Sequence, residues 1–204
     1  GFALAAKFMQ EAGRPLTAFC ACELRSPAAF SEDGFRAFNL HYVKTLTEWG
    51  IFDGTTNPVA RSNVCPKLDP PGEPSFHAFC YTVPAAKDAP TSFVVAGSGE
   101  SVEGKANYRD HTVALGDTSP AGILAKAKFV LGEMERRMSA LDAGWETATG
   151  VHVYTAYDIH PSMQKEIVPR GAAASGVSWH LSRPPVQGLD YEMDVRGVFA
   201  ELVI

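Results

Sequence analysis

Three side chains in this sequence have the chemistry to handle a small anion and a water molecule: Arg61, His77 and Glu192. Arg61 stands between Ala60 and Ser62 in a strand-like stretch, where small neighbours leave room for a ligand beside it. A guanidinium offers a planar pair of donors to a carboxylate and stays charged at any relevant pH. His77 carries an imidazole that titrates near neutrality and could take a proton from water. Glu192, between Tyr191 and Met193 on an alternating stretch, could do the same as a carboxylate. The competing readings are a surface ion pair for Arg61 and a solvated strand carboxylate for Glu192. His152, on an apolar strand, and His160, just ahead of a proline, read as satisfied or exposed residues. Cys20, Cys22, Cys65 and Cys80 all fall in the first half, and the CxC pair lacks further ligands at a compatible spacing. They read as buried free thiols, and no metal site is expected.

Such groups need elements to position them. Leu4 to Ala12 predicts a helix stopped by Gly13, Arg14 and Pro15, and Leu16 to Leu24 predicts a strand. Ser31, followed by acidic residues, opens a capped amphipathic helix with apolar residues at Phe35, Phe38, Tyr42, Val43 and Leu46 that ends at Gly50. VARSNV and SFHAFCYTV, separated by the turn-rich KLDPPGEP, read as an antiparallel strand pair with a wide connection. Pro84 to Pro90 reads as a linker. SFVVAGSG then reads as a short buried strand running into a glycine turn, with a further strand around HTVAL. The clearest helix follows. Asp117, Thr118 or Ser119 can cap it, Pro120 suits its first turn, and an apolar stripe runs through Ile123, Ala127, Val130, Leu131, Met134, Met138 and Leu141. WETATGVHVYTAYD, VSWHL and DYEMDVRGVFAELVI are strand-like, the last with period-two alternation.

The composition, 46% hydrophobic and 20% charged over 204 residues, is that of a globular chain with room for one large core or two small ones. A formal net charge of −5 without a basic cluster argues against a nucleic-acid partner. The longest apolar run, near Ser92 to Gly97, falls far short of the roughly 20 residues that cross a bilayer, and no signal peptide opens the sequence. A cytoplasmic protein without a membrane partner is expected. A helix with no strand before it suggests that a leading segment precedes Gly1.

Each half runs through helix, strand, irregular segment or helix, strand, turn and strand in the same order, the pattern of a duplicated unit. GFRAFNLHYVKTLTEWG followed by NPVARSNVCPKLDPP and FHAFCYTV resembles the back half of a RidA/YjgF domain. There, a helix with an Asn-x-x-Tyr pair leads to an Ala-Arg-Ser strand and a Leu-Pro turn. The matching residues are Asn39, Tyr42, Ala60, Arg61 and Ser62, with Leu68 and Pro70 near the turn. In the second half FVVAGSG is similar to the family's early strand, with Gly97 at its glycine and Ser98 where a glutamine is usual. Ala121 to Leu141 matches the central helix, VHVYTAYD the strand ending at Asp158, and DYEMDVRGV the last strand, whose glutamate is Glu192.

The resemblance implies an α+β fold of chorismate-mutase-like (RidA/YjgF-like) units duplicated in tandem, residues 1–86 and 89–204, each a sheet with helices packed on one face. It also implies a homo-oligomer of trimeric or pseudo-trimeric kind, no cofactor, and hydrolysis of an imine or enamine of a small carboxylate to ammonia and a keto acid. Arg61 would then anchor the small anionic substrate, His77 or Glu192 would activate water, and Asn39, Tyr42, Ser62, Gly97 and Ser98 would line the cleft. The departures are pointed: His77 takes the place of the glutamate in the first half and Ala174 that of the arginine in the second. Neither half holds the full arginine and glutamate pair, so a small-ligand-binding or scaffold protein without turnover is the alternative. The ribonuclease role sometimes attached to the family is disfavoured by the acidic charge.

Overall fold

A computed structural model describes residues 1–203 of the chain. Helix α1 (Phe2–Glu11) buries Ala5 and Met9 and ends ahead of Gly13, whose φ of +67° is open to glycine at little cost. Strand β1 (Phe19–Arg25) follows a single 3-10 turn, Leu16–Ala18. In α2 (Glu32–Glu48) the Ser31 hydroxyl accepts the Gly34 N–H at 3.1 Å, while Glu32 and Asp33 complement the positive end of the helix. Strands β2 (Ala60–Pro66), β3 (Ser75–Tyr81) and β4 (Phe93–Gly99) come next. Helix α3 (Pro120–Ser139) is capped by Ser119, and the chain closes with β5 (Gly150–Thr155), a helical turn and π-helical stretch over His160–Ser162 and Met163–Ile167, β6 (Ser178–His180), β7 (Ser182–Arg183) and β8 (Tyr191–Gly197).

These strands form two mixed four-stranded sheets, in the orders β3-β1-β2-β7 and β4-β8-β5-β6. The outer face of the first packs on α1 and α2 through Phe19, Cys22, Leu24, Tyr42 and Leu46. The outer face of the second packs on α3, whose Ile123, Ala127, Val130, Leu131, Met134 and Met138 meet Val95, Val151, Val153, Met193 and Val195. Leu141, placed on the same stripe by its spacing, lies beyond the helix end and is exposed.

The inner faces carry charge. Alternation along β1 and β8 turns Glu23, Arg25, Asp194 and Arg196 toward one another. Arg196 donates to Glu23 at 2.5 Å and to Asp194 at 3.2 Å, Arg25 donates to Glu23 at 3.0 Å, and the Tyr154 hydroxyl donates to Asp194 at 2.8 Å. Burial alone would raise the Glu23 pKa, but the Arg196 and Arg25 charges overcome it and hold it down to about 2.

This arrangement corrects the expected tandem duplication of RidA-like units, each with its own sheet. Strand β7, from late in the chain, pairs with β2 and completes the first sheet, Phe30 bridges to Val186, and the buried charge network joins the two sheets. The α+β content stands, but as one arrangement of two mixed sheets. Two local expectations also change. β2 and β3 do not pair with each other; β1 lies between them, parallel to β2 and antiparallel to β3. The segment around HTVAL is a 3-10 turn, a single bridge from Thr112 to Ser101 and a turn with Ala114 at φ +47°, a backbone incompatible with a continuous strand. No helix among the described residues is long and apolar enough to cross a membrane.

Candidate active site

Where β2 and α2 of the first sheet meet β4 and β8 of the second, a cavity of about 650 Å³ opens to the surface. Its wall is built by alternation. On β2, Ser62 turns inward and donates to Asp194 at 2.9 Å, so Arg61 turns the other way, toward α2. Its guanidinium lies 4.7 Å from the Tyr42 ring centre and 5.5 and 5.6 Å from those of Phe35 and Phe38, a cation held by aromatic faces. Among the described residues Arg61 forms no ion pair, which removes the reading of it as a surface salt bridge. Burial first, and then the Cys22 sulfur 3.5 Å from its hydroxyl, push the Tyr42 phenol pKa up.

Glu192 reaches the same cavity from β8. It is buried, and burial together with the nearby Asp194 charge pushes its pKa up to about 8 against the pull of Arg61. At neutral pH it is therefore mostly a neutral acid, and it shares the cavity with the Arg61 guanidinium. Space for it comes from β4, where the register shifts between Val95 and Ser98 and leaves Ala96 and Gly97 in a bulge. Arg137 donates to the Ala96 carbonyl at 2.7 Å and steadies that bulge. A Cβ at Gly97 would collide with the Glu192 carboxyl and lie 3.4 Å from the Ser62 Cα.

A buried trio fixes the start of β8. Lys126 Nζ lies 2.5 Å from Asp190 and 3.3 Å from Glu100, and Glu100 accepts the N–H groups of Asp190 and Tyr191 at 2.6 and 3.0 Å. Glu192 follows two residues after Asp190, so the trio sets its height against Arg61. Burial raises the Glu100 pKa, opposed by those N–H groups and by Lys126.

Of the residues singled out from the sequence, Arg61, Glu192, Asn39, Tyr42, Gly97 and Ser98 all line this one cavity. Ser62 lies behind it, in the charge network. His77 is exposed on β3 and is not brought to Arg61; the charges that act on it are those of Arg25, Glu23 and Arg196, and burial is the first cause of its lowered pKa. Ala174 lies in the turn before β6, outside the cavity lining. Sequence reasoning missed Asn63, whose side-chain oxygen accepts from Ser26 at 2.9 Å at the cavity wall, and the Lys126 trio. The signal for the trio was present: Lys126 sits three residues after Ile123 and four before Val130, inside the apolar stripe of α3.

Comparison with known proteins places the chain in a family. The family model described as "2-aminomuconate deaminase CnbZ" matches residues 1–202. A "2-amino-5-chloromuconate deaminase" of Comamonas testosteroni is 50% identical over 193 residues, 94% of this chain and 77% of that protein. Among solved structures, a chorismatase aligns with a TM-score of 0.60 over 97% of this chain and 68% of its own, at 14% identity, a likeness of fold alone. It accords with the two-sheet arrangement and not with a tandem RidA duplication.

Proposed function

This chain belongs to the 2-aminomuconate deaminase CnbZ family, and from that premise we propose that it hydrolyses the amino group from a 2-aminomuconate-type dicarboxylate in the Arg61 and Glu192 cavity. The observation that carries the reading is the meeting in one cavity of a guanidinium without an ion-pair partner and a buried carboxyl whose pKa burial pushes up. Arg61 holds the carboxylate next to the amino-bearing carbon with its forked donors. The substrate is an enamine, and an enamine is attacked by water only after a carbon of its double-bond system gains a proton. Neutral Glu192 gives that proton, and the carbon–nitrogen bond becomes an iminium. The carboxylate left behind takes a proton from water as the water oxygen bonds to the iminium carbon. In the carbinolamine so formed, Glu192 returns a proton to nitrogen and receives one from the hydroxyl. The carbon–nitrogen bond breaks, releasing ammonia and a 2-oxo diacid. One water is consumed and Glu192 ends protonated, as it began.

The test is stoichiometric. With 2-aminomuconate the protein is expected to yield one ammonia per 2-oxo diacid; no ammonia above the uncatalysed rate would refute hydrolysis. Replacing Arg61 with Lys keeps the charge but loses the fork, so binding of the 2-oxo diacid product should weaken by about 1–3 kcal/mol with little change in melting temperature. Calorimetric titration beside a melting curve reads both, and unaltered affinity would place the anchor elsewhere. Gly97→Ala should cost about 1–3 kcal/mol of stability, the usual cost of an added methyl group in a packed site. It should also lower kcat, because the Glu192 carboxyl must move away from the new Cβ. A Gly97→Ala protein with normal kcat would show that this carboxyl position does not matter to turnover.

A further inference from the structure

The proposed substrate has a carboxylate at each end, and Arg61 accounts for one of them. The same cavity is lined by two more cations, Arg36 on α2 and Lys105 in the loop after β4, both exposed at its mouth. Neither forms an ion pair among the described residues. Of the three carboxyl groups of the lining, one keeps its charge, one is paired with a cation and one has its pKa pushed up by burial. Glu32 accepts the N–H groups of Tyr108 and Arg109 at 2.9 and 3.3 Å, tying the loop that carries Lys105 to the first turn of α2. Glu103 pairs with Arg137 at 2.5 Å, and Glu192 is mostly protonated at neutral pH. In a chain of net charge −5, this cavity therefore gathers three cations without an ion-pair partner, Arg36, Arg61 and Lys105, against one carboxylate without one, Glu32. Such a concave cationic surface draws anions from solution and is most favourable for one that carries more than a single charge.

The placement fits an extended diacid. Arg36 follows Phe35 and precedes Tyr42 by six residues, and both rings face the Arg61 guanidinium, so Arg36 stands at up to about 9 Å from it along the helix axis. That is the scale on which an extended six-carbon chain presents its two ends. We infer that Arg36 and Lys105 form a second carboxylate subsite at the cavity mouth, which takes the end of the substrate remote from the amino group and selects diacids over monoacids. This inference rests on the reading of Arg61 as the proximal anchor.

The test compares 2-aminomuconate with 2-aminohexa-2,4-dienoate, the same enamine with a methyl group in place of the distal carboxylate, each generated in situ. Steady-state kinetics are measured for the unmodified protein, Arg36→Ala, Lys105→Ala, the double variant, Arg36→Lys and a control, Lys128→Ala, on the exposed side of α3. Each single alanine variant is expected to raise KM for the diacid about tenfold, the scale of one charge-assisted hydrogen bond, with kcat nearly constant and a much smaller change for the monoacid. The double variant should lose most of the preference for the diacid, Arg36→Lys should recover part of it, and Lys128→Ala should match the unmodified protein. A double variant that keeps the full preference overturns the subsite while leaving the Arg61 reading intact. If Arg61→Lys also leaves both KM values unaltered, the proximal anchor and the subsite that depends on it fall together.

Discussion

Glu192→Gln is expected to lower kcat by a factor of about one hundred to ten thousand, the range lost when a positioned acid-base group is removed. Glutamine fills the same volume and can accept a hydrogen bond, but it can neither give a proton to the enamine nor take one from water. KM should change far less, since Arg61 remains. The pH profile carries the same claim. The group must be protonated to begin the reaction and has its pKa in the free protein pushed up to about 8, so kcat/KM in the unmodified protein should fall as pH rises through that value. Stability should follow with a definite sign. A carboxyl whose folded pKa lies above its unfolded value of 4.5 binds a proton more tightly in the folded state. Its contribution is complete below 4.5 and is lost as pH rises through about 8. The Gln variant should melt with less pH dependence across that window, and an unchanged kcat/KM profile in it would remove Glu192 from the reaction.

Lys126→Met should be the most destabilising single change near the site. It leaves Glu100 buried without a cation and Asp190 with only the longer contact to Arg183 at 3.4 Å, and breaking a buried ion pair from one side costs about 3–5 kcal/mol. For a chain of this size that corresponds to a fall in melting temperature of about 6 to 20 °C. The triple variant Lys126→Met, Glu100→Gln, Asp190→Asn should recover part of the loss, because it removes the stranded charges along with their partner. Because Lys126 holds the start of β8 through Asp190 and Glu100, Lys126→Arg is the informative companion. It keeps the charge and overfills the space, and should lower kcat through the position of Glu192 even where the protein stays folded. Thermal melts and kcat on the same preparations read both effects, and a Lys126→Met protein as stable as the parent would mean the trio does not hold β8.

Much of this architecture is written locally, and the parts that are not have physical reasons. Ser31 and Ser119 announce their helices because a hydroxyl just ahead of a helix satisfies an otherwise unpaired N–H. The alternation of Tyr191, Glu192, Met193 and Asp194 marks a strand with one apolar and one charged face, as found. Arg61 and Glu192 each stood out by type and neighbours, yet their meeting did not. They lie far apart in the chain, and whether two sheets face each other is a matter of tertiary packing that no local pattern records. The absence of a complete arginine and glutamate pair within either half argued for a degraded site; the structure brings one member from each half to a single cavity instead. His77 drew interest as a base by side-chain chemistry alone, whereas the insertion of β1 between β2 and β3 sets it apart from Arg61. The tandem duplication was read from repeated element order, which α+β chains share widely, and β7 crossing into the first sheet is invisible in a two-residue strand. Lys126 was passed over because the stripe around it was read as wholly apolar.

The most direct test of the central claim is a crystal structure of Glu192→Gln with 2-aminomuconate bound. The account predicts that the substrate occupies the cavity between the sheets, with the carboxylate beside its amino-bearing carbon forked onto the Arg61 guanidinium and the enamine facing the amide at position 192. A substrate bound at any other place, or one seated in this cavity with Arg61 still turned to its aromatic rings and making no contact with it, would contradict the account.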